Sequence, residues 1–405
     1  MIKRVMAGFL GGLMFLALLA LPSSARALAV EPANDQTFDL PCQAAILVDE
    51  DSGTVLYEKN ADEQRPIASI TKVMTLLLTF EAMEAGKISR EDTVPVSEHA
   101  YSMGGSQIWL EPGEEMTLDD MLKAICISSA NDAAVAVAEY VGGSEGAFVS
   151  MMNEKAAALG MDRTHFENAC GLDSEGHLST ARDVATMSRE VLLHHPEVED
   201  YCMIWSDSLR GGETQLVNTN KLLRRYTGIT GLKTGTTGKA GVCISASAER
   251  DGLRLVAVVL GAASSEDRFD AATALLDYGF AHYESAAAPI PEQALSTLPV
   301  QHGTEPTVTL QYTVPDSFLV AKGGGAALQA ELSLPEQLEA PVRQGQTVGT
   351  MTIRSGQQEI ASCPIVAETE VLARSFDFCF RRLVESLLPE RENFVQNGWG
   401  NALSA

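Results

Sequence analysis

One serine and one lysine stand three residues apart in Ser69-Ile70-Thr71-Lys72, at the head of a long apolar stretch. Residues at i and i+3 share a helix face, so a helix starting here puts Lys72 beside Ser69. An alkyl hydroxyl attacks a carbonyl only when something takes its proton. A lysine held in apolar surroundings loses part of its preference for the charged form and can act as that base. A helix N-terminus adds unpaired backbone N–H groups and a positive dipole end, both suited to a developing oxyanion. The chemistry implied is acyl transfer through a serine ester. Alone, the motif is weak, because about one Ser-x-x-Lys arises by chance in a chain of this length.

Two further elements raise its weight. Ser129-Ala130-Asn131 falls inside a helical pattern, and Lys233-Thr234-Gly235 opens a strand-rich segment. Each of the three patterns occurs once in the chain, in this order, with 60 and 104 residues between their first positions. That set resembles the signature of penicillin-binding proteins and related β-lactamases. The chain resembles a low-molecular-mass penicillin-binding protein of the serine D-alanyl-D-alanine carboxypeptidase family, of the sporulation-associated or Gram-positive type. The resemblance runs from about Cys42 to Val371. It is carried also by Ser102-Met103-Gly104-Gly105-Ser106-Gln107, Leu110-Glu111-Pro112-Gly113 and Gly176-His177-Leu178-Ser179-Thr180-Ala181-Arg182-Asp183.

The resemblance implies Ser69 as nucleophile and Lys72 as base, with Ser129 and Asn131 lining the other side of the cleft. It implies that Lys233, Thr234 and Gly235 lie on an edge strand along which the substrate peptide aligns. Arg268, 35 residues after Lys233, would help to hold the substrate's terminal carboxylate; the alternative is a solvated residue in the first turn of a helix. The implied substrate is the pentapeptide stem of peptidoglycan, losing its terminal D-alanine, with β-lactam antibiotics as inhibitors. No metal or organic cofactor is expected, since nucleophile, base and oxyanion donors all come from the chain. One departure is the Ser-Ala-Asn of the second motif, where the family often has Ser-Gly-Asn and class A β-lactamases have Ser-Asp-Asn. The extra methyl leaves the hydrogen-bonding groups of Ser129 and Asn131 unchanged.

Three rival readings are distinguishable. Gly142-Gly143-Ser144-Glu145-Gly146 fits the Gly-x-Ser-x-Gly elbow of α/β-hydrolases, but the residues before it read as helix where the elbow needs a strand. The glycines fit a helix end and Ser144 the next N-cap. A β-lactamase of the same fold would need a deacylating glutamate, in class A within Glu-x-x-Leu-Asn. Glu167 is followed by Asn168-Ala169-Cys170 and does not match. A catalytically weak wall-binding protein on the same fold is disfavoured by the intact Ser69, Lys72, Ser129, Asn131 and Lys233.

These groups need elements to hold them. Ala44 to Lys59 reads as a hairpin around Asp51-Ser52-Gly53, and Ser69 to Ala85 as one helix, apolar nearly all round. Helical patterns follow at about 117–141, 147–159 and 180–194, then strands Val242–Ala248 and Leu253–Leu260 and a helix at about 266–283. The fold expected is α+β: a penicillin-binding/β-lactamase-like transpeptidase domain, an antiparallel sheet with a helical cluster, over residues 30–285. Ala286 to Pro291 reads as a linker to a small all-β domain over 290–371, and 372–405 as an amphipathic helix with a tail. The helical stripe at 375–388 either packs on that β domain or lies on a membrane surface.

At the other end, Lys3 and Arg4 precede an uncharged run from Val5 to Leu21, and Ala27-Leu28-Ala29 fits a small-x-small cleavage box. Residues 1–29 therefore read as a signal peptide, and the protein as exported, acting at the outer face of the cytoplasmic membrane or in the wall space. The balance of 29 Lys+Arg against 54 Asp+Glu, a net charge of −25, argues against a nucleic-acid partner. Seven cysteines without a C-x-x-C pair give no metal cluster pattern. Cys126 and Cys243 sit in helix and strand patterns and read as small buried hydrophobes.

Overall fold

The computed structural model describes residues 26–27, 40–291 and 296–387. Most of the proposed signal peptide lies outside them; Arg26 and Ala27 pair antiparallel with Ser362 and Ala361. Five strands form the central antiparallel sheet: β1 (Ala44–Asp49), β2 (Val55–Lys59), β3 (Ile229–Thr237), β4 (Gly241–Arg250) and β5 (Leu253–Ala262). Their order is β2-β1-β5-β4-β3, which leaves β3, the strand carrying Lys233-Thr234-Gly235, on an edge.

Every residue of β1 is buried, which explains why it reads as an apolar run and not an alternating one. One face (Ile46, Val48, Val256, Val258) packs on the helical cluster, the other (Leu47, Leu255, Val259) on Phe269, Leu275 and Leu276 of a long helix, Ser265–His282. With both faces covered, alternation is lost. The architecture is α+β, as the resemblance implied.

The helix at the first motif starts later than the sequence pattern suggests. Residues Ala68–Thr71 form a 3-10 turn, and α1 spans Lys72–Glu84. Ala68 has a φ of +48°, outside any right-handed helix, and the Thr71 hydroxyl donates to its carbonyl at 2.8 Å. From Val73 to Phe80 the helix is buried all round, so it is the axle of the domain.

The pattern at 117–141 is likewise not one helix. An α-helical turn at Leu118–Lys123 passes into a π-helical turn at Ala124–Ser128, and α2 begins at Asn131 and ends at Gly142. Between them Ser129 is left-handed, with φ +63° and ψ 33°. The break has a geometric consequence: residues i and i+2 of an α-helix point to opposite sides, so an unbroken helix would not present Ser129 and Asn131 on one face. Gly143, with φ +78°, ends α2, and the Ser144 hydroxyl caps the helix α3 (Glu145–Ala158) through Ala147 N at 3.2 Å. Ser144 is a helix cap.

Part of the expected linker is ordered as strand: Tyr283–Ala287 pairs antiparallel with Ser317–Ala321. The β-rich domain that follows buries its own core of Val308, Met351, Ile353 and Ile365. The last described helix, Phe376–Leu387, buries no residue. Its stripe of Phe376, Phe380, Leu383 and Leu387 stays in solvent, with Phe376 87% exposed. Among the described residues, no helix is long and apolar enough to cross a membrane.

Candidate active site

The Lys72 side chain is wholly buried, and its ammonium nitrogen has three partners: Ser69 Oγ at 3.0 Å, Asn131 Oδ1 at 2.6 Å and the Cys170 carbonyl at 2.7 Å. The Asn131 amide is fixed in this sense because its Nδ2 donates to the Gly104 carbonyl at 2.6 Å. Two of the three partners can only accept. A neutral Lys72 would spend its two N–H donors on them and direct its lone pair at the Ser69 hydroxyl, the one partner able to donate. Burial lowers the Lys72 pKa to about 8, so this neutral form is within reach near neutral pH.

A second layer holds the nucleophile's turn. Gly171 (φ +85°) lies so close to it that a Cβ there would stand 1.9 Å from the Ala68 carbonyl oxygen. Buried His177 accepts the Glu167 backbone N–H at Nδ1 (3.1 Å), so its Nε2 carries the proton and donates to Thr71 Oγ1 at 2.7 Å. The Thr71 hydroxyl passes the chain of bonds on to Ala68. Burial lowers the His177 pKa to about 4, which keeps this direction of donation through the neutral range.

Lys233 is also buried, and its nitrogen donates to the Thr234 carbonyl at 2.9 Å. Burial, then the nearby Lys72 charge, lower its pKa to about 7. Gly235 faces the Ser69 turn: an added Cβ would be 2.8 Å from the Ile67 carbonyl and 3.0 Å from Ser69 N. Thr219 ties the second motif to the third. Its N–H donates to the Ile127 carbonyl at 3.1 Å, and its hydroxyl lies 2.6 Å from that of Thr234.

Arg268 is not a solvated residue; it is 6% exposed beneath β3. One guanidinium nitrogen lies 3.3 Å from the Gly235 carbonyl and 3.2 Å from that of Cys243, the other 3.1 Å from Ser265 Oγ. Among the described residues its Nε has no hydrogen-bond partner, and burial lowers its pKa to about 10. Glu167, exposed, bonds Ser174 and Gly176 N, away from Lys72. Ser69, Lys72, Asn131 and Gly235 thus converge, supported by Cys170, Gly171 and Thr219, which lie outside every quoted motif, and by His177 from the Gly176–Asp183 segment.

Residues 29–264 match the D-alanyl-D-alanine carboxypeptidase family, and residues 291–373 match the C-terminal domain of penicillin-binding protein 5. The chain is 41% identical over 338 residues to the D-alanyl-D-alanine carboxypeptidase DacF of Bacillus subtilis, covering 82% of this chain and 87% of that one. The chain belongs to this carboxypeptidase family. With DacC of Escherichia coli it shares 35% identity over 350 residues, 84% of this chain and 87% of the relative. Among solved structures, penicillin binding protein 5 of Haemophilus influenzae superposes with a TM-score of 0.74 at 28% identity, over 83% of this chain and 99% of that chain. Penicillin-binding protein D2 of Listeria monocytogenes, in its cefotaxime-bound form, gives 0.57 at 33% identity, over 60% and 99% respectively. The carboxypeptidase is of the serine type, within the penicillin-binding proteins, and its β-rich domain belongs to the same pattern.

Proposed function

We propose that the enzyme removes the terminal D-alanine of the peptidoglycan pentapeptide stem through an ester on Ser69, and that β-lactams acylate the same oxygen. Lys72 takes the Ser69 proton as Oγ bonds to the carbonyl carbon of the penultimate D-alanine. Backbone N–H groups at Ser69 and along the edge of β3 face the developing oxyanion. The C–N bond then breaks, the proton passes by way of Ser129 to the departing D-alanine nitrogen, and water cleaves the ester. Lys233 and Arg268 supply positive charge for the substrate carboxylate, with Thr234 and Gly235 as the edge against which the peptide lies.

The observation that carries this reading is the Lys72 nitrogen, buried 3.0 Å from Ser69 Oγ between two obligate acceptors. Release of D-alanine from diacyl-L-Lys-D-Ala-D-Ala tests it: wild type turns over, Lys72→Arg does not, since guanidinium keeps its proton. Turnover by folded Lys72→Arg would remove Lys72 as base.

We further propose residues 1–29 as a signal peptide, 30–285 as the catalytic domain, 290–371 as the β domain and 372–405 as a membrane-facing tail, with the enzyme acting outside the cytoplasm. The solvent-exposed stripe of Phe376, Phe380, Leu383 and Leu387 supports surface attachment. Each such side chain yields about 1.5–3 kcal/mol on full burial.

A further inference from the structure

Trp109 projects into solvent, 76% exposed, from the segment that leaves the cleft beside Asn131, and its φ is +59°. Bulky residues seldom adopt that left-handed conformation, and an exposed indole gains nothing from burial. Two charged side chains hold it there. Asp132, itself buried, accepts the backbone N–H groups of Ile108 and Leu110, each at 3.1 Å. From the other side Arg210 donates to the Ile108 carbonyl at 2.8 Å and to the Trp109 carbonyl at 3.4 Å. Arg210 is anchored on Glu114 at 2.7 Å and 3.0 Å. With Ile108 and Leu110 tucked into the core on either side, the residue between them faces outward.

The indole borders a shallow groove with Glu111, Pro112, Arg210, Glu213 and Thr214. Its lining is an aromatic face among carboxylates, a guanidinium and a hydroxyl. A continuous apolar partner finds too little apolar surface there, and an anionic one meets Glu111 and Glu213 on a strongly acidic protein. An uncharged polyhydroxy ligand meets none of these penalties: its C–H face stacks on the indole while hydroxyl and acetamide groups reach the charged rim. The segment that bears Trp109 is also tied to the cleft wall. Asn131, which touches Lys72, donates its backbone N–H to the carbonyl of Ser106, three residues before Trp109.

We propose that this groove is a glycan subsite, in which Trp109 stacks on the N-acetylated aminosugar strand that bears the stem peptide, and Asp132 and Arg210 are positioning residues. The inference rests on the peptidoglycan substrate proposed above.

Its test is direct binding. The full chain is titrated with chitotetraose, an uncharged N-acetylglucosamine oligomer without peptide, by intrinsic fluorescence and calorimetry. Wild type should give a saturable change, and Trp109→Ala should bind at least about tenfold more weakly. In parallel, kcat/KM is compared on a glycan-linked pentapeptide and on the free diacyl tripeptide. The ratio of the two should fall at least about fivefold in Trp109→Ala. No saturable binding by wild type, or equal binding by the variant, overturns the proposal; so does an equal fall on both substrates, which would put Trp109 against the peptide. D-alanine release without glycan binding sinks this inference alone, whereas glycan binding without D-alanine release sinks only the proposed activity.

Discussion

Gly171 is where one methyl group should disable the enzyme without touching a catalytic side chain. Its φ of +85° suits glycine and costs an alanine about 1–2 kcal/mol. The added Cβ would stand 1.9 Å from the Ala68 carbonyl oxygen and 2.9 Å from Ser69 N. Both are backbone atoms, so neither can swing aside as a side chain would. Relief to a 3.0 Å contact requires the turn to retreat by at least about 1.1 Å. The Thr71–His177 chain grips the same carbonyl, so the retreat carries Ser69 with it. A misplacement of about 1 Å costs about 10²-fold in rate. The strain should also cost the fold roughly 2–3 kcal/mol. The assay is the second-order rate of acylation by a fluorescent penicillin, beside thermal unfolding of the same preparation. Gly176→Ala is the control, because its Cβ would meet only the movable end of the Glu167 side chain, at 2.5 Å. Gly171→Ala should acylate about 100-fold more slowly while Gly176→Ala stays near the wild-type rate. Folded Gly171→Ala with an undiminished rate would refute the account of how the turn is held.

Other outcomes follow from the same geometry. Lys72 acts as base only when neutral, so acylation gains as pH rises through its pKa of about 8; Lys233 binds a carboxylate only when charged, a contribution lost as pH rises through about 7. The pH profile of kcat/KM should therefore be a bell over that interval, its two limbs belonging to the pair, and Lys233→Arg should keep activity while losing the alkaline limb. A flat profile would contradict both roles. Among the described residues no carboxylate is a hydrogen-bond partner of Ser69 or Lys72, and a β-lactam's leaving group stays tethered, so the penicilloyl-enzyme should persist for minutes while peptide turns over. Label decay as fast as D-alanine release would make the enzyme a β-lactamase. Deleting residues 376–387 should abolish co-sedimentation with phospholipid vesicles and leave D-alanine release in solution intact; unchanged co-sedimentation would dismiss the helix as an anchor.

The catalytic groups were legible because their types and order are rare together, and Ser69, Lys72 and Asn131 do meet. The local backbone was less so. A 3.6-residue pattern extends through 117–141 because Met121, Ile125 and Val135 all face the core, and the pattern has no way to mark a π-turn followed by a left-handed Ser129. Similarly, the apolar run after Ser69 does not disclose that Ala68 starts a 3-10 turn, a conformation held by Gly171 from elsewhere in the chain and by Thr71 within the turn itself. Cys170 contributes only a carbonyl, which no side-chain motif can advertise. His177 lay within a segment carrying the family resemblance, but its role depends on a contact with Thr71, 106 residues away. Arg268 was ambiguous since its place in a first helical turn suits solvent as well as burial, and only the packing of β3 over it decides.

Mass spectrometry after penicillin treatment asks directly whether an ester forms on Ser69 with Lys72 as base. One penicilloyl adduct is expected on the peptide containing Ser69 in wild type, and none in folded Lys72→Arg; this pair of results would establish the mechanism. An adduct on Ser129 or Ser144, or an undiminished adduct in the lysine variant, would contradict it.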